Sequence, residues 1–322
     1  MELFAMDASR AFGEAVAREL GTGLSPHEER LFEDGEHKSR PLCGVRGRDV
    51  YVIQSLHGGP AESVADKLVK LLFFAQALRD ARAARVTAAV PYLAYSRKDR
   101  RTKARDPLTT RYVAQLMEAA GVGTVVTLEV HNVSAFENAF RIETVHLDTR
   151  ALFAEHVASM GWEGPVAVAS PDPGGIKRAQ LFREALERRL GREAGFAFLE
   201  KRRSGGVVTG SLVTGEVRGA LVIVMDDLIS TGHTMARAAR AFLERGAGRV
   251  LAMAAHGLFM DGAIAAMTDP ALSGTVVTDT VGPFRLDAKA RGRVDVVSAA
   301  PLFAEAVKRL SEGGSVTGLQ CL

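Results

Sequence analysis

The residues best equipped for chemistry lie between Gly219 and Thr234, which read GALVIVMDDLISTGHT. The unbroken apolar run Ala220 to Met225 reads as a buried strand of a parallel sheet. Asp226 and Asp227 follow at its C-terminal end, and then Ser230-Thr231-Gly232-His233-Thr234 leads into a helical pattern through Met235, Ala239 and Phe242. A strand, a short loop and a helix start in that order surround the loop with backbone N–H groups and a positive dipole end. The hydroxyls of Ser230, Thr231 and Thr234 add donors, and Gly232 lets the backbone come close to a ligand. A phosphate fits such a loop. The acid pair suits the vicinal hydroxyls of a ribose, or a divalent ion bridging to them. Together they describe a site for a ribose 5-phosphate group. The plainer alternative is a surface loop with a capped helix.

Other stretches carry weaker chemistry. After a strand ending near Tyr92 come Tyr95, Arg97, Lys98, Asp99, Arg100, Arg101, Lys103 and Arg105. So dense a cationic loop suits polyphosphate oxygens, because arginine gives bidentate charge-assisted bonds. A basic patch for RNA is the rival, opposed by sparse aromatics and a net charge of only +3. Phe32 with Asp34, Gly35 and Glu36 could flank a purine, the ring stacking and the acids accepting from an amino group. A solvated turn with Phe32 tucked inward is the alternative. His131, beside Glu129 at a strand end, could meet a metal ion or a nucleotide phosphate, or serve as a hydrogen-bonded structural residue. Asp172 precedes Gly174-Gly175 and a helix, which suits phosphate or a hydrated Mg²⁺. Lys201-Arg202-Arg203 closes another strand, and alternation sends Lys201 and Arg203 to one side. Two cations there could neutralise charge developing in a phosphoryl-type transfer, or form a solvated run.

Strands and helices alternate along the chain, which argues for α/β architecture with mainly parallel sheets. Strands are expected at 3–6, 49–55, 85–93, 124–130 and 144–147, and then at 165–171, 195–201, 220–226, 249–257, 275–281 and 294–298. Helices are expected near 8–20, 60–82, 107–120, 150–159, 174–190, 234–246, 260–267 and 301–310. A length of 322 residues allows two cores. A joint near Leu147–Asp148 divides residues 1–147 from 148–322, with the last helix able to pack back on the first domain. The similar rhythm of the halves suggests duplication. Ligands in open α/β sheets sit outside the carboxyl ends of the strands, where these chemical residues fall.

The composition, 47% hydrophobic and 25% charged, is that of an ordinary soluble protein. The small net charge implies neither nucleic acid nor an anionic membrane as a general partner. Cys43 and Cys321 show no zinc or disulfide spacing, which fits a reducing cytosol. MELFAMDASR has no apolar h-region, and no run approaches the ~20 residues of a membrane helix. Leu68 to Leu78, broken by Lys70 and Gln76, reads as a core helix. A cytoplasmic enzyme is the expectation.

In chain order the motifs are FxDGE, YxRxDRR, a strand ending in VH, SPDxGG, KRR and DDxxxTGxT. That order and spacing resembles the ribose-phosphate diphosphokinases (PRPP synthetases), from near the N-terminus to about residue 300. Phosphoribosyltransferases share only the last loop. The resemblance implies two tandem phosphoribosyltransferase-like domains, ATP on the first and ribose 5-phosphate on the second. It implies Mg²⁺-dependent transfer of the diphosphoryl group of ATP to the C1 hydroxyl of ribose 5-phosphate, giving PRPP and AMP for nucleotide biosynthesis. Phe32, Asp34 and Glu36 would hold adenine, supplied by a neighbouring subunit, and Arg97, Lys98 and Asp99 would serve ATP. His131 and Asp172 would sit at the Mg²⁺ sites. Lys201 and Arg203 would stabilise the transition state from a flap. Asp226, Asp227, Ser230, Thr231, Gly232 and Thr234 would bind ribose 5-phosphate. A homo-oligomer of dimers assembling into a hexamer is implied as well.

The sequence departs from the family's pattern in places. Lys98 stands where many members have Gln, Glu129 where Asp is usual, Ser230 where Asp is frequent and His233 where Gly is frequent. The TKARDP loop after Arg101 is one residue shorter than the common bacterial form, in which it helps form a regulatory phosphate and ADP site. A non-catalytic paralogue that assembles with an active synthetase is the second reading, and a base-specific phosphoribosyltransferase the third.

Overall fold

The computed structural model describes residues 1–204 and 207–319, with side chains between 201 and 211 outside the description. The chain forms two compact units. The first spans Met1–Asp148 and regains the chain from Ala299 onward; the second spans Thr149–Ser298.

In the first unit β1 (Glu2–Ala5), β4 (Asp49–Ile53), β5 (Arg85–Val90), β6 (Thr124–Leu128) and β7 (Glu143–Leu147) make an all-parallel sheet in that order. Their apolar runs are buried on both faces, as parallel strands require; Val50, Tyr51, Val52 and Ile53 are wholly buried. Burial pushes the Tyr51 hydroxyl up to about 12. The helices are α1 (Arg10–Glu19), α2 (Val64–Asp80), α3 (Thr109–Ala119) and α4 (Val133–Ala139). A capping box starts α2, in which Ser63 Oγ accepts from Asp66 N–H and Asp66 accepts from Ser63 N–H. As expected of a core helix, α2 buries Leu68, Leu71, Phe74, Ala75 and Leu78, but it buries Lys67 and Lys70 as well. The last helix, α10 (Ala300–Glu312), packs on α1, with Phe12 and Phe303 edge to face at 5.4 Å. Arg85 donates to the Leu310 carbonyl at 3.0 Å.

An antiparallel hairpin, β2 (His27–Leu31) and β3 (His37–Pro41), forms a separate two-stranded sheet where no strand was expected. Its inward positions carry His27, Glu29, His37 and Ser39, so the usual apolar alternation is missing.

The second unit has α5 (Arg150–Ser159), β8 (Val166–Ser170), α6 (Ile176–Leu190), β9 (Gly195–Ser204), β10 (Val207–Thr214), β11 (Leu221–Ile229) and α7 (His233–Glu244). It continues with β12 (Arg249–Gly257), α8 (Ala263–Met267), β13 (Gly274–Thr278), α9 (Ala288–Arg291) and β14 (Val294–Val297). The sheet order is β10-β9-β8-β11-β12-β13-β14, parallel throughout except for β10, which pairs antiparallel with β9. The chain winds from β8 to β9 in one direction and from β11 to β14 in the other. The switch point is therefore the β8–β11 pair, where an α/β sheet opens a crevice at its carboxyl edge. Among the described residues, no helix is long and apolar enough to cross a membrane.

Candidate active site

At the switch point, β11 runs three residues beyond Asp226, pairing Leu228 with His256 and Ile229 with Gly257. The acid pair thus belongs to the strand rather than to the loop after it. Asp227 is buried and Asp226 half-buried, and Asp227 N–H donates to Asp226 Oδ1 at 2.9 Å. Burial, followed by the hydrogen bond and charge of Asp227, pushes the Asp226 carboxyl well above the usual range. Arg178 of α6 opposes this shift, its guanidinium lying 3.7 Å from an oxygen of each acid.

The chain then turns through Ser230 and Thr231 into Gly232, whose φ of +74° begins α7. A Cβ there would stand 2.6 Å from Met267 Cε and 2.8 Å from Ala266 Cβ, so glycine meets both a conformational and a spatial need. The β12 end braces the loop. Leu258 N–H and Phe259 N–H donate to the Ile229 carbonyl at 2.9 and 3.2 Å, and Met260 N–H donates to the Ser230 carbonyl at 2.9 Å. His233 is exposed at the first position of α7, and its ring lies over Gly262, where a Cβ would meet Cε1 at 3.1 Å. Thr231 and Thr234 are half-buried beside it.

On the neighbouring strand, Ser170 Oγ donates to the Asp172 carbonyl at 2.6 Å, and Asp172 Oδ1 accepts from Gly174 N–H at 2.9 Å. A Cβ on Gly175 would meet Ser170 Oγ at 2.7 Å and Met225 O at 4.0 Å, so this second glycine loop lies over the β11 end. Lys201 and Arg203 lie in β9, on the stretch that continues past the end of β8. Their side chains, and with them the expected alternation, lie outside the described residues. The structure thus brings Asp172 together with Asp226, Asp227 and the 230–234 loop, and carries the β9 backbone to the same edge.

In the first unit, the β5–α3 loop is knotted around Asp106. Its Oδ2 accepts from Lys98 Nζ at 2.5 Å, Thr102 N–H at 2.9 Å, Thr102 Oγ1 at 2.8 Å and Lys103 N–H at 2.9 Å. The Lys98 bond, with those from Thr102 and Lys103, holds this carboxyl far below the usual range. Lys98 therefore turns back on its own loop, while Arg97, Arg100 and Arg101 are exposed. Tyr95, with φ of +62°, directs its carbonyl to Thr109 Oγ1 at 3.0 Å and Thr110 Oγ1 at 3.2 Å. Asn132 Nδ2 donates to Asp99 Oδ2 at 2.7 Å, and Asn132 Oδ1 caps α4 by accepting from Ala135 N–H at 3.2 Å. This residue ties the cationic loop to the exposed His131 before it. Buried Glu129 holds φ of +42°, a strained value for a non-glycine residue, immediately ahead of that group. Phe32, Asp34 and Glu36 lie instead in the turn of the β2–β3 hairpin, outside the sheet that carries the others.

Comparison with known proteins shows the family. Residues 1–121 match the N-terminal domain of ribose phosphate pyrophosphokinase, residues 138–257 the phosphoribosyl transferase domain, and residues 209–320 the phosphoribosyl synthetase-associated domain. A ribose-phosphate pyrophosphokinase of Caldanaerobacter subterraneus is 36% identical over 320 residues, covering 99% of this chain and 97% of that protein. The chain belongs to the ribose-phosphate pyrophosphokinase family. Its relative in Ralstonia nicotianae is 35% identical over 319 residues, covering 98% of this chain and 97% of that one. The crystal structure of the Mycobacterium smegmatis phosphoribosylpyrophosphate synthetase superposes with a TM-score of 0.86 at 30% identity, covering 97% of this chain and 99% of that one. The pyrophosphokinase fold of two α/β units accounts for the alternating strands and helices of the sequence. Proteins of this family work with a divalent metal.

Sequence reasoning overlooked Arg178, Asn132, Asp106 and the Leu258–Met260 brace. Arg178 had a signal, being a cation in the first turn after a glycine loop. Asn132 had one too, as a helix-cap residue type directly after His131.

Proposed function

We propose that this chain makes PRPP and AMP from ATP and ribose 5-phosphate. The observation that carries the reading is the buried acid pair at the switch point, followed by a glycine-centred loop onto α7, in a chain of this family over nearly its whole length. Backbone N–H groups and hydroxyls of 230–234 hold the 5-phosphate, and Asp226 and Asp227 accept from the ribose hydroxyls. Phe32 stacks on adenine, while Asp34 and Glu36 accept from its amino group. Arg97, Lys98 and Asp99 serve the polyphosphate, and Lys98 exchanges Asp106 for a phosphate oxygen as ATP arrives. The C1 hydroxyl oxygen attacks the β-phosphorus and its proton passes to solvent, the bond from the β-phosphorus to the α,β-bridging oxygen breaks, and AMP departs carrying that oxygen. Lys201 and Arg203 offset the spreading negative charge.

The donor set fits Mg²⁺ as the divalent metal. The acid pair and Asp172 offer hard carboxylate oxygens, and the raised Asp226 marks negative charge that a cation would relieve. His131 would hold the metal on the ATP side and Asp172 on the sugar side. When bound, Mg²⁺ neutralises phosphate oxygens and orients the diphosphoryl group. A homo-oligomer of dimers assembling into a hexamer, working in the cytoplasm, is part of the same reading.

The test is AMP release from ATP with and without ribose 5-phosphate, in Mg²⁺, over a range of phosphate concentrations. Sugar-dependent AMP that vanishes with EDTA and returns with excess Mg²⁺ is the expected result. Folded protein that binds ATP yet releases no AMP under any condition would overturn the reading in favour of a non-catalytic paralogue.

A further inference from the structure

Among the described residues the β2 and β3 strands pair only with each other; Ser25 N–H, just ahead of β2, donates to the Leu3 carbonyl of β1 at 2.7 Å, and beyond that anchor side chains decide where the turn points. The turn itself is closed by Phe32 N–H to the Glu36 carbonyl at 2.7 Å, Gly35 N–H to the Phe32 carbonyl at 3.1 Å and Glu36 N–H to Asp34 Oδ1 at 3.0 Å. Arg30 lies over the Phe32 ring at 4.9 Å. The Phe32–Glu36 turn is therefore internally fixed, and its aim depends on how the hairpin is seated.

The seating is built around one buried carboxylate. Glu29 has a side chain only 6% exposed. Its Oε1 accepts from Asp7 N–H at 2.5 Å and lies 3.1 Å from His27 Nε2, and its Oε2 accepts from Lys70 Nζ at 3.3 Å. These partners come from the loop after β1, from β2 itself and from α2. Lys70 also bonds Glu62, ahead of α2. Burial alone would raise the Glu29 carboxyl, but the bonds from His27 and Asp7 and the Lys70 charge bring it below the usual range. The His27 ring packs against Phe4 and Phe74, and His37 stacks on Phe73 at 5.4 Å. Apolar and ring contacts let a hairpin slide; a buried carboxylate held from three directions does not. The Asp7, His27 and Glu29 ligand atoms lie within 4.8 Å of one another. Lys70 and Arg10, which pairs with Asp7, already supply positive charge there, so the cluster reads as an ion knot rather than a metal site.

We propose that Glu29, clamped by Lys70 and His27, is the positioning residue that aims the Phe32–Glu36 turn at the adenine base and so sets the preference for an adenine nucleotide. This rests on the reading of that turn as the adenine contact. Glu29 touches no substrate and acts through Phe32, Asp34 and Glu36.

The test compares Glu29→Gln, Lys70→Met, Lys70→Arg and Phe32→Ala by steady-state kinetics with ATP and GTP, alongside trypsin cleavage after Arg30 and Lys38 in the hairpin. Glu29→Gln and Lys70→Met should each raise KM for ATP about tenfold, the scale of one charge-assisted hydrogen bond. They should lower the ATP-to-GTP ratio of kcat/KM, leave KM for ribose 5-phosphate at the wild-type value, and speed cleavage of the hairpin. Lys70→Arg should recover most of the ATP preference. Glu29→Gln keeps the side-chain volume, so it reports even if Lys70→Met fails to fold. If Phe32→Ala raises KM for ATP while Glu29→Gln leaves both that KM and the cleavage rate unchanged, the positioning role is overturned alone. If Phe32→Ala leaves KM for ATP unchanged, the adenine reading of the turn falls and takes this inference with it.

Discussion

Replacing Gly232 with alanine separates two demands made on one residue. Its φ of +74° costs an L-residue about 1–2 kcal/mol. The added Cβ would also stand 2.6 Å from Met267 Cε and 2.8 Å from Ala266 Cβ. The methionine end can swing aside, but Ala266 sits on α8, so the helix or the loop must move. Overpacking of that kind costs about 1–3 kcal/mol more. Gly219 provides the control: its φ is +67° and nothing lies within 4 Å of a Cβ there. Gly219→Ala should therefore lose about 1.5 kcal/mol and Gly232→Ala about 3 kcal/mol or more. In thermal unfolding of a unit this size, those losses lower Tm by about 3–6 °C and about 6–12 °C. Only Gly232→Ala shifts the loop, so only it should raise KM for ribose 5-phosphate, by about tenfold or more. Equal Tm losses for the two variants, together with a wild-type KM in Gly232→Ala, would refute the reasoning.

Two more predictions concern the candidate site. Because the folded Asp226 carboxyl is raised above the ordinary aspartate value of 3.8, its contribution to stability is complete below that value and is lost as pH climbs toward the raised one. If the ionised pair accepts from the sugar hydroxyls as proposed, KM for ribose 5-phosphate at saturating ATP should climb as pH falls through the raised carboxyl; a KM that stays flat down to the lowest pH at which the protein is folded would count against the assignment. Asn132→Ala should lose about 1 kcal/mol of cap stability and raise KM for ATP severalfold. Asn132→Asp should keep the cap yet raise that KM further by repelling Asp99, and the pair fails if the two variants behave alike.

The apolar runs were legible because strands of a parallel sheet are buried on both faces; Ala220–Met225 is the clearest case. The end of β11 was not, since Asp226 and Asp227 interrupt the run while the ladder continues to Ile229. The hairpin escaped notice because it buries His27 and Glu29 rather than valine or leucine, and its stability comes from paired charge that a hydrophobic pattern does not carry. The 230–234 loop was readable from residue order, because each of its parts serves one local need. Asn132 and Arg178 were not, because their roles depend on partners 33 residues away in one case and on the neighbouring strand's acids in the other.

The return of α10 to the first unit bears on how the protein is made. The helix that covers α1 is synthesised only after the whole of Thr149–Ser298. At ordinary translation rates that interval is about 8–30 s. Through it, the α1 surface that Phe303 will cover stays bare, so the first-made unit is the last to be completed. A stop codon anywhere between Thr149 and Ala300 therefore leaves the first unit unfinished as well as the second.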